Sequence, residues 1–294
     1  MNNLLIIRIR NKMKEFSKGQ KLIAKYIEEH YDKVAFMTAS KLGATVGVSE
    51  STVVRFATEI GYTGYPELQQ AMQEMIRNKL TSVQRMEVTA SRIGDADILD
   101  SVFNQDIETI RRTMEETPHE DFYRSVDAIV AARKIYILGA RSSLALATFL
   151  YNYFNLIFEN VLLVKSTSEG EIFEQMIRVD ERDVVIGISF PRYSRKAVNA
   201  MNFAHKRGAT VIAITDSLLS PLANEADYTL LARSDIASIV DSLVAPLSLI
   251  NALIVTTSLK KSGELTQVFK RLEDIWDEYE VYEKVDEKSS GSAL

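Results

Sequence analysis

The sequence contains no cysteine and only three histidines among its 294 residues. Without thiols, the chain forms no disulfides, no thiolate zinc site and no cysteine nucleophile, which fits a reducing cytoplasm. No apolar run is long enough to span a bilayer, and residues 1–7 lack the length and the basic lead-in of a signal peptide. We therefore expect a cytoplasmic protein. Its 46% of apolar residues is enough for the cores of roughly two domains.

Two phosphate-binding motifs are also absent. The sequence has neither G-x-G-x-x-G nor the lysine motif of P-loop proteins, so neither dinucleotide nor nucleoside triphosphate is expected as a ligand. We predict no cofactor and no metal.

Charge is distributed unevenly along a chain whose formal net charge is −5. Residues 1–80 contain 12 Lys and Arg against 8 Asp and Glu, whereas the remaining residues contain 23 against 32. A basic front on an acidic body indicates that the front alone meets a polyanion.

Residues 1–80 are predicted to be an all-α bundle. Gly47-Val48 forms a tight turn between the third and fourth helices, and Ser49 is expected to cap the fourth. Two short helices joined by such a turn are typical of a helix-turn-helix, whose second helix enters the major groove of DNA. The apolar spacing predicts helices over residues 4–16, 18–29, 39–44 and 50–60, and Leu22 is among the inward-facing residues of the second. Pro66 is expected to start a fifth helix that runs towards residue 79.

The predicted DNA contacts are outward polar residues of this motif. Short hydroxyls approach phosphates or base edges closely, and an arginine can bind guanine or a phosphate pair with two hydrogen bonds. An alternative is a small helical interaction domain whose exposed serines are merely solvated. The candidate residues are Ser49, Ser51, Thr52 and Arg55 on the fourth helix, with Lys41 on the third to hold the DNA backbone.

After a linker over residues 81–97, strands and helices alternate in a second domain over residues 98–285. Continuous apolar strands with helical crossovers predict a three-layer α/β sandwich around a five-stranded parallel sheet. Residues 286–294 are expected to be a disordered tail. The strands are predicted over residues 135–138, 161–164, 184–188, 211–214 and 228–231. Helices are predicted over residues 219–224, 239–260 and 265–285, among others, and a helix over residues 98–117 carries an apolar stripe that includes Phe103, Ile107 and Met114.

Hydroxyls and arginines follow two of these strands, where parallel sheets bind ligands. A backbone turn at Gly139 leads into a helix start, which suits an anion. The inventory favours a monophosphate with polyol contacts. As alternatives, Ser142 simply caps its helix and Arg192 pairs with a surface acid. The candidate residues are Arg141, Ser142, Ser143, Ser189, Arg192 and Ser194, with Glu169 to orient sugar hydroxyls.

These segments resemble the RpiR family of bacterial transcriptional regulators, which join a helix-turn-helix to a SIS (sugar isomerase) domain. The resemblance covers nearly the whole chain. It is carried at the front by the run from Ala39 to Phe56. In the second domain, residues 139–143 resemble the SIS pattern G-x-G-x-S, and residues 188–194 resemble I-S-x-S-G-x-T.

The resemblance implies a flavodoxin-like SIS fold in which Ser143, Ser189 and Ser194 bind the phosphate of a phosphosugar. This sequence departs from the pattern at two points. Arg141 replaces the second glycine, and Pro191-Arg192 replaces Ser-Gly. Two cationic side chains thus enter the loop pair, which favours a more acidic effector or a second anionic group.

We therefore expect a regulator whose affinity for operator DNA is set by a phosphorylated sugar or a related anionic metabolite. Such readers usually bind two half-sites, so a homodimer or homotetramer is expected. The alternative is a sugar-phosphate isomerase with an accessory helical domain. An isomerase needs a base near the sugar carbons, for which Glu169, Glu171 and Asp241 are the candidates. We predict that the protein is not an enzyme.

Overall fold

The chain divides into two units. The computed structural model describes residues 4–76, 81–93, 97–165, 168–235 and 240–283. A helical unit comprises Met1–Val102 and Ile236–Asp241, and an α/β unit comprises Phe103–Asp235 and Ser242–Leu294. In the described ranges, no helix has both the length and the hydropathy needed to cross a membrane. The predicted tail over residues 286–294 lies outside the described residues.

The helical unit contains six complete helices within the described residues and the start of a seventh. Residues 81–97, predicted as a linker, contain one of them. The domain boundaries at residues 80 and 98 remain predictions. The helices are α1 (Leu4–Lys12), α2 (Lys18–Val34), α3 (Ala39–Val46), α4 (Glu50–Glu59), α5 (Tyr65–Ile76), α6 (Ser82–Ile93) and α7 (Ile98–Glu116), whose first five residues belong to this unit.

Side-chain caps fix where α2 and α3 begin. Ser17 and Gln20 form a capping box, in which the Ser17 hydroxyl accepts from the Gln20 backbone N–H at 3.4 Å. The Thr38 hydroxyl accepts from the Lys41 N–H at 3.1 Å. The predicted bounds differ at the end of each of the first four helices. Helix α1 stops at residue 12 rather than 16, and α2 continues past residue 29 across a non-helical His30. Helix α3 ends at residue 46 rather than 44, and α4 at residue 59 rather than 60.

The helical unit has its own core, to which each of α1–α5 contributes. Leu22, predicted to face inward, is 46% exposed, so that prediction was wrong. The Tyr65 hydroxyl donates to the Met37 carbonyl at 2.8 Å, and burial raises the pKa of this phenol. The most buried apolar residues include Ile9, Ile23, Ile27, Leu42, Val53, Phe56, Leu68 and Met72.

The α/β unit is built on a five-stranded, fully parallel sheet, as predicted. The strand order is β2-β1-β3-β4-β5. Strands β2 and β5 have the predicted bounds, and the other three are one or two residues longer. The strands are β1 (Lys134–Gly139), β2 (Val161–Val164), β3 (Asp183–Ile188), β4 (Thr210–Thr215) and β5 (Tyr228–Leu231).

Helices cover both faces of this sheet. Ile135 and Ile137 pack on one face with residues of three helices, while Tyr136 and Leu138 pack on the other with two, as the period of two requires. This is the predicted three-layer sandwich. The first face carries α8 (His119–Ala131), α9 (Ser143–Ile157) and α12 (Val244–Lys260), and the second carries α10 (Glu169–Gln175) and α11 (Arg195–Lys206).

Three predicted helices differ from the structure. Residues 219–224 form only turns and a 3-10 segment, Ala223–Glu225, because Pro221 disfavours helix before it and the Ser217 and Ser220 hydroxyls accept local N–H groups. Helix α12 begins at residue 244 rather than 239, and residues 236–239 lie outside the described residues. The last helix is α13 (Ser262–Glu278) rather than 265–285.

The apolar stripe of α7 is exposed in the structure. Phe103, Ile107 and Met114 are 60%, 63% and 66% exposed. The helix instead packs through hydroxyls: Thr113 accepts from the Arg233 N–H at 2.9 Å, and Thr117 donates to the Leu231 carbonyl at 2.8 Å. The side of α7 that faces the end of β5 is therefore held by hydrogen bonds from threonine hydroxyls.

Ion pairs tie together the amino-terminal ends of β1 and β3. Arg133 donates from Nε and Nη2 to the buried carboxylate of Asp183, at 2.9 and 2.6 Å. Arg182 donates to Asp180 from its side chain at 2.7 Å and from its backbone at 3.0 Å. These bonds hold the pKa of Asp180 well below its usual range.

Candidate functional site

A glycine-dependent turn joins α3 to α4. Gly47 is left-handed, with φ 75°, and the Val48 N–H donates to the Gly43 carbonyl at 2.9 Å. A Cβ on Gly43 would lie 2.8 Å from the Val48 carbonyl oxygen. The turn packs closely on α3 because residue 43 has no side chain. Helix α4 then buries Val53 and Phe56 completely, which leaves its opposite side in solvent.

Three hydroxyls meet at the start of α4. Ser49 occupies the N-cap position, yet its side chain makes no capping hydrogen bond, so that predicted role was wrong. Its Oγ lies 2.9 Å from both Ser51 Oγ and Thr52 Oγ1. The hydroxyls of the first turn thus bind one another instead of the backbone. The structure brings these three predicted DNA contacts together.

Arg55 follows one turn later on the same exposed side. Its Nε donates to the Ser51 carbonyl at 3.3 Å, which holds the guanidinium along the helix surface. Lys41 is exposed on α3. The sequence analysis missed Val54, which is 39% exposed on this polar side. Its spacing, three residues after Ser51, was the available signal.

The effector candidates lie after two neighbouring strands. Gly139 ends β1 and is paired in register with Ile188, the last residue of β3. A Cβ on Gly139 would lie 2.5 Å from the Ser143 carbonyl oxygen. The first turn of α9 therefore packs directly on the end of β1. Ser143 opens that helix and is only 4% exposed.

The second loop connects its two serines. The Ser189 hydroxyl accepts from the Ser194 N–H at 3.1 Å, and the Ser194 hydroxyl accepts from the Ala197 N–H at 3.4 Å as the cap of α11. Ser189 is 4% exposed, and its N–H donates to the Ile214 carbonyl of β4 at 3.2 Å. Ser189, directly after β3, is thereby bonded to Ser194 at the start of α11.

The remaining candidates fall into two groups. Arg141 and Arg192 are exposed and left-handed, with φ 56° and 66°. Ser142 is exposed and makes no capping hydrogen bond, so the structure does not support the alternative that it simply caps α9. Glu169 instead accepts from Asn199 Nδ2 of α11 at 2.5 Å. The structure thus places its carboxylate on a helix contact.

The sequence analysis also missed a contact between two loops of this edge. The Tyr193 hydroxyl donates to Asp216 Oδ1 at 2.8 Å, which connects the loop after β3 to the loop after β4. Thr215, buried at the end of β4, donates to the same oxygen at 3.4 Å. The available signal was that Asp216 lies two residues after the strand predicted over residues 211–214.

Two family descriptions match the chain. The model described as "Helix-turn-helix domain, rpiR family" matches residues 2–79, and the model described as "SIS domain" matches residues 128–256. The chain belongs to the RpiR family. Residues outside the two matches include α6, α7 and most of α8.

Full-length relatives extend the match to nearly the entire RpiR-family chain. An HTH-type transcriptional regulator of Caldanaerobacter subterraneus subsp. tengcongensis is 24% identical over 286 residues, which cover 94% of this chain and 97% of the relative. Another, of Clostridium perfringens, is 22% identical over 228 residues, covering 77% and 80%.

Two solved structures share the fold. The NanR protein of Vibrio vulnificus, complexed with ManNAc-6P, has a TM-score of 0.57 at 21% identity and covers 94% of this chain and 98% of its own. The sugar isomerase domain of an RpiR transcription factor from Sphaerobacter thermophilus has a TM-score of 0.55 at 28% identity, covering 59% and 97%. This RpiR-family protein is a ligand-responsive, DNA-binding transcriptional regulator.

Proposed function

We propose that the α/β unit binds a phosphorylated sugar where β1 and β3 end, and that this binding sets the affinity of α4 for operator DNA. The observation that carries the proposal is the pair of serine-bearing helix starts on adjacent strands. Ser143 opens α9, and Ser189 is bonded to the Ser194 N–H at the start of α11. Helix starts and hydroxyls are suited to a phosphate.

The relatives support the same ligand class. The NanR structure holds ManNAc-6P, an amino-sugar phosphate, on a fold that aligns with most of this chain. For the ligand to act as a signal, it must bind one arrangement of the DNA-binding units more tightly than another. A tenfold change in operator affinity needs a difference of about 1.4 kcal/mol.

On the DNA side, the proposed contacts are those of the exposed side of α4. Ser49, Ser51 and Thr52 would contact phosphates or base edges, Arg55 would bind a guanine or a phosphate pair, and Lys41 would hold the backbone.

We propose a cytoplasmic homodimer, because helix-turn-helix proteins of this type bind paired half-sites on DNA.

The apolar stripes of α9 and α12 are used largely inside the α/β unit. Phe154, Ile157 and Leu253 lie in its core, whereas Tyr153 of α9 is 45% exposed. The exposed apolar residues Phe103 and Ile107 of α7 are better placed to contact a second copy. Analytical ultracentrifugation of the full chain measures the state directly.

We also propose that the protein is a regulator without catalytic turnover. An isomerase needs a carboxylate or imidazole that is available to the sugar carbons. The Glu169 carboxylate contacts Asn199, and the Asp241 carboxylate contacts Arg85 of α6 at 2.8 Å. Incubation with aldose and ketose phosphates should give no interconversion. Turnover that is lost in Glu169→Gln or Glu171→Gln would contradict this proposal.

The test of the ligand proposal is a Ser189→Ala variant. An operator is first selected from a random duplex library with the wild-type chain, and its affinity is then measured by fluorescence anisotropy at a fixed salt concentration, with and without a panel of sugar phosphates. Ser189→Ala should bind DNA normally without ligand and lose the response to it. Ser258→Ala, at the far end of α12, is the matched control.

Two outcomes would contradict the proposal. An equal response in wild type and Ser189→Ala would place the ligand elsewhere. No response and no thermal stabilisation by any phosphorylated sugar would exclude this ligand class, because a ligand that binds the folded form raises its apparent stability.

A further inference from the structure

Left-handed backbone at the two candidate loops is occupied by arginine. In the described ranges, three residues other than glycine have a positive φ: Arg141 at 56°, Arg192 at 66° and Glu280 at 50°. Elsewhere the chain uses glycine for this conformation, at positions 47, 61 and 208. A side chain costs conformational free energy there, and glycine does not. Two of three such exceptions flank the proposed phosphate site.

The two arginines have similar places in their loops. Arg141 lies directly before Ser142, the N-cap residue of α9, and Arg192 lies two residues before Ser194, the N-cap residue of α11. The loops leave neighbouring strands, since Gly139 pairs in register with Ile188. Both arginines are exposed. On each of two adjacent strands, a left-handed arginine therefore comes just before the start of a helix.

A single phosphate at this site can be bound without the two arginine side chains. The serines and helix starts already offer hydroxyls and backbone N–H groups to it. A guanidinium adds a planar pair of donors that matches a carboxylate or another phosphate. Because the strain is retained at a ligand site, it points to contacts made with the ligand.

We infer that the effector carries a second anionic group, a carboxylate or a second phosphate, and that Arg141 and Arg192 bind it. This inference rests on the proposed function of the same site. It narrows the ligand class from sugar phosphates in general to phosphorylated sugar acids and sugar bisphosphates.

The variants for the test keep the backbone. Arg141→Gly and Arg192→Gly, singly and together, remove each guanidinium while the left-handed conformation becomes easier to adopt, so the fold is retained. Glu280→Gly makes the same backbone change away from this site and is the conformational control. Arg178→Gln removes an exposed cation elsewhere in the α/β unit and is the charge control.

Matched ligand pairs then separate the second anion from the first. Isothermal titration calorimetry compares glucose 6-phosphate with gluconate 6-phosphate, fructose 6-phosphate with fructose 1,6-bisphosphate, and the corresponding pentose pairs. We expect wild type to bind the doubly anionic member of at least one pair about tenfold more tightly or better. The double glycine variant should reduce that ratio to within about twofold, while both controls preserve it.

Each other outcome identifies what fails. If sugar phosphates bind through Ser189 but no pair shows a preference, the inference is wrong and the proposed function stands. If Arg141→Gly weakens both members of a pair equally, the arginines bind the shared phosphate, and the inference is again wrong. If no member of any pair binds, the proposed function and the inference fail together.

Discussion

The helical unit and the α/β unit present their candidate residues to ligands in opposite ways. Ser49, Ser51 and Arg55 are exposed on the surface of one helix. Ser143 and Ser189 are each 4% exposed, at the junction of strands and helices. One helix can supply the whole surface that contacts a long polyanion, because the partner is large and rigid. A site for a small anion must surround it, so it draws on several elements.

This difference also decides what holds each site in shape. On α4 the hydroxyls contact one another, and the helix alone fixes their spacing. In the α/β unit, Ser189 is fixed by β4 and α11, and Ser143 by the close packing of α9 on Gly139. Damage to packing should therefore affect the effector site more than the DNA-binding surface.

The largest expected effect comes from adding a methyl group at the two closest backbone contacts. Gly139→Ala should destabilise the α/β unit by about 3 kcal/mol, and Gly43→Ala the helical unit by about 2 kcal/mol, because the new Cβ atoms meet carbonyl oxygens at 2.5 and 2.8 Å. Hydrogen exchange followed by mass spectrometry should show faster exchange in β1 and α9 for the first variant, and in α3 and α4 for the second.

The control for these glycines is Gly263→Ala. A Cβ at residue 263 meets nothing within 4 Å, and the residue lies in α13. This change should stabilise the chain by about 0.5–1 kcal/mol. If either glycine variant accelerated exchange throughout the chain, the two units would not be separate folding units.

The next effect tests whether the DNA-binding surface is independent of the effector site. Arg55→Ala should weaken operator binding by about 1–3 kcal/mol if the guanidinium binds a base edge. Ligand affinity of the α/β unit should not change. Anisotropy and calorimetry measure the two quantities. Lys25→Ala, which removes the same charge from α2, should cost less than about 1 kcal/mol; an equal loss in both variants would mean that Arg55 contributes only charge.

A smaller effect separates the stability of the helical unit from its DNA-binding surface. Tyr65→Phe removes the buried hydroxyl that donates to Met37 and should lower the free energy of unfolding by about 1 kcal/mol. Operator affinity at 25 °C should stay unchanged. Tyr279→Phe, at a residue 71% exposed, is the control for urea denaturation. Loss of operator affinity in Tyr65→Phe would show that this core reaches the DNA-binding surface.

The smallest effect is a response to acid that both units share. The pKa values of Asp180 and Glu67 are lowered in the folded chain, by bonds from Arg182 and from the Thr63 backbone and hydroxyl. Because the folded values are depressed, the contribution is complete above the ordinary carboxyl pKa of about 4 and is lost as the pH falls below it.

Melting temperatures between pH 6 and pH 3 measure this acid response. Asp180→Asn and Glu67→Gln should each flatten the fall, and each in its own unit. If a variant melted like wild type at both pH values, the substituted carboxylate would not contribute to the loss of stability in acid.

Continuous patterns in the sequence predict most of the fold. Strand β2 has the predicted bounds because its four residues form an uninterrupted apolar run, as a strand covered on both faces requires, and β5 matches with a single threonine in its run. The prediction of a helix over residues 219–224 was wrong, because a proline and two serines favour local turns more strongly than a short apolar pattern favours a helix. The stripe on α7 identified an apolar face correctly but not its exposure, since exposure depends on what packs against the helix.

The candidate sites can be predicted from the sequence only where a single periodic element positions the residues. Helical spacing finds Ser51 and Arg55, because one periodic element positions both. The contact of Tyr193 with Asp216 depends on the register of two strands, which residue spacing does not encode. The sequence predicts that the Ser49 hydroxyl caps the helix backbone, whereas in the structure it contacts the hydroxyls of Ser51 and Thr52 at equal distance.

The left-handed arginines have a consequence for how this regulator diversifies. Every arginine codon becomes a glycine codon through one nucleotide substitution, and glycine fits the backbone at residues 141 and 192 without strain. If the arginines bind the effector as proposed, a single point mutation in a descendant gene changes which metabolites the protein senses, with no compensating change elsewhere in the protein. Reversion in the opposite direction must overcome the conformational cost, so loss of the guanidinium is the easier evolutionary step.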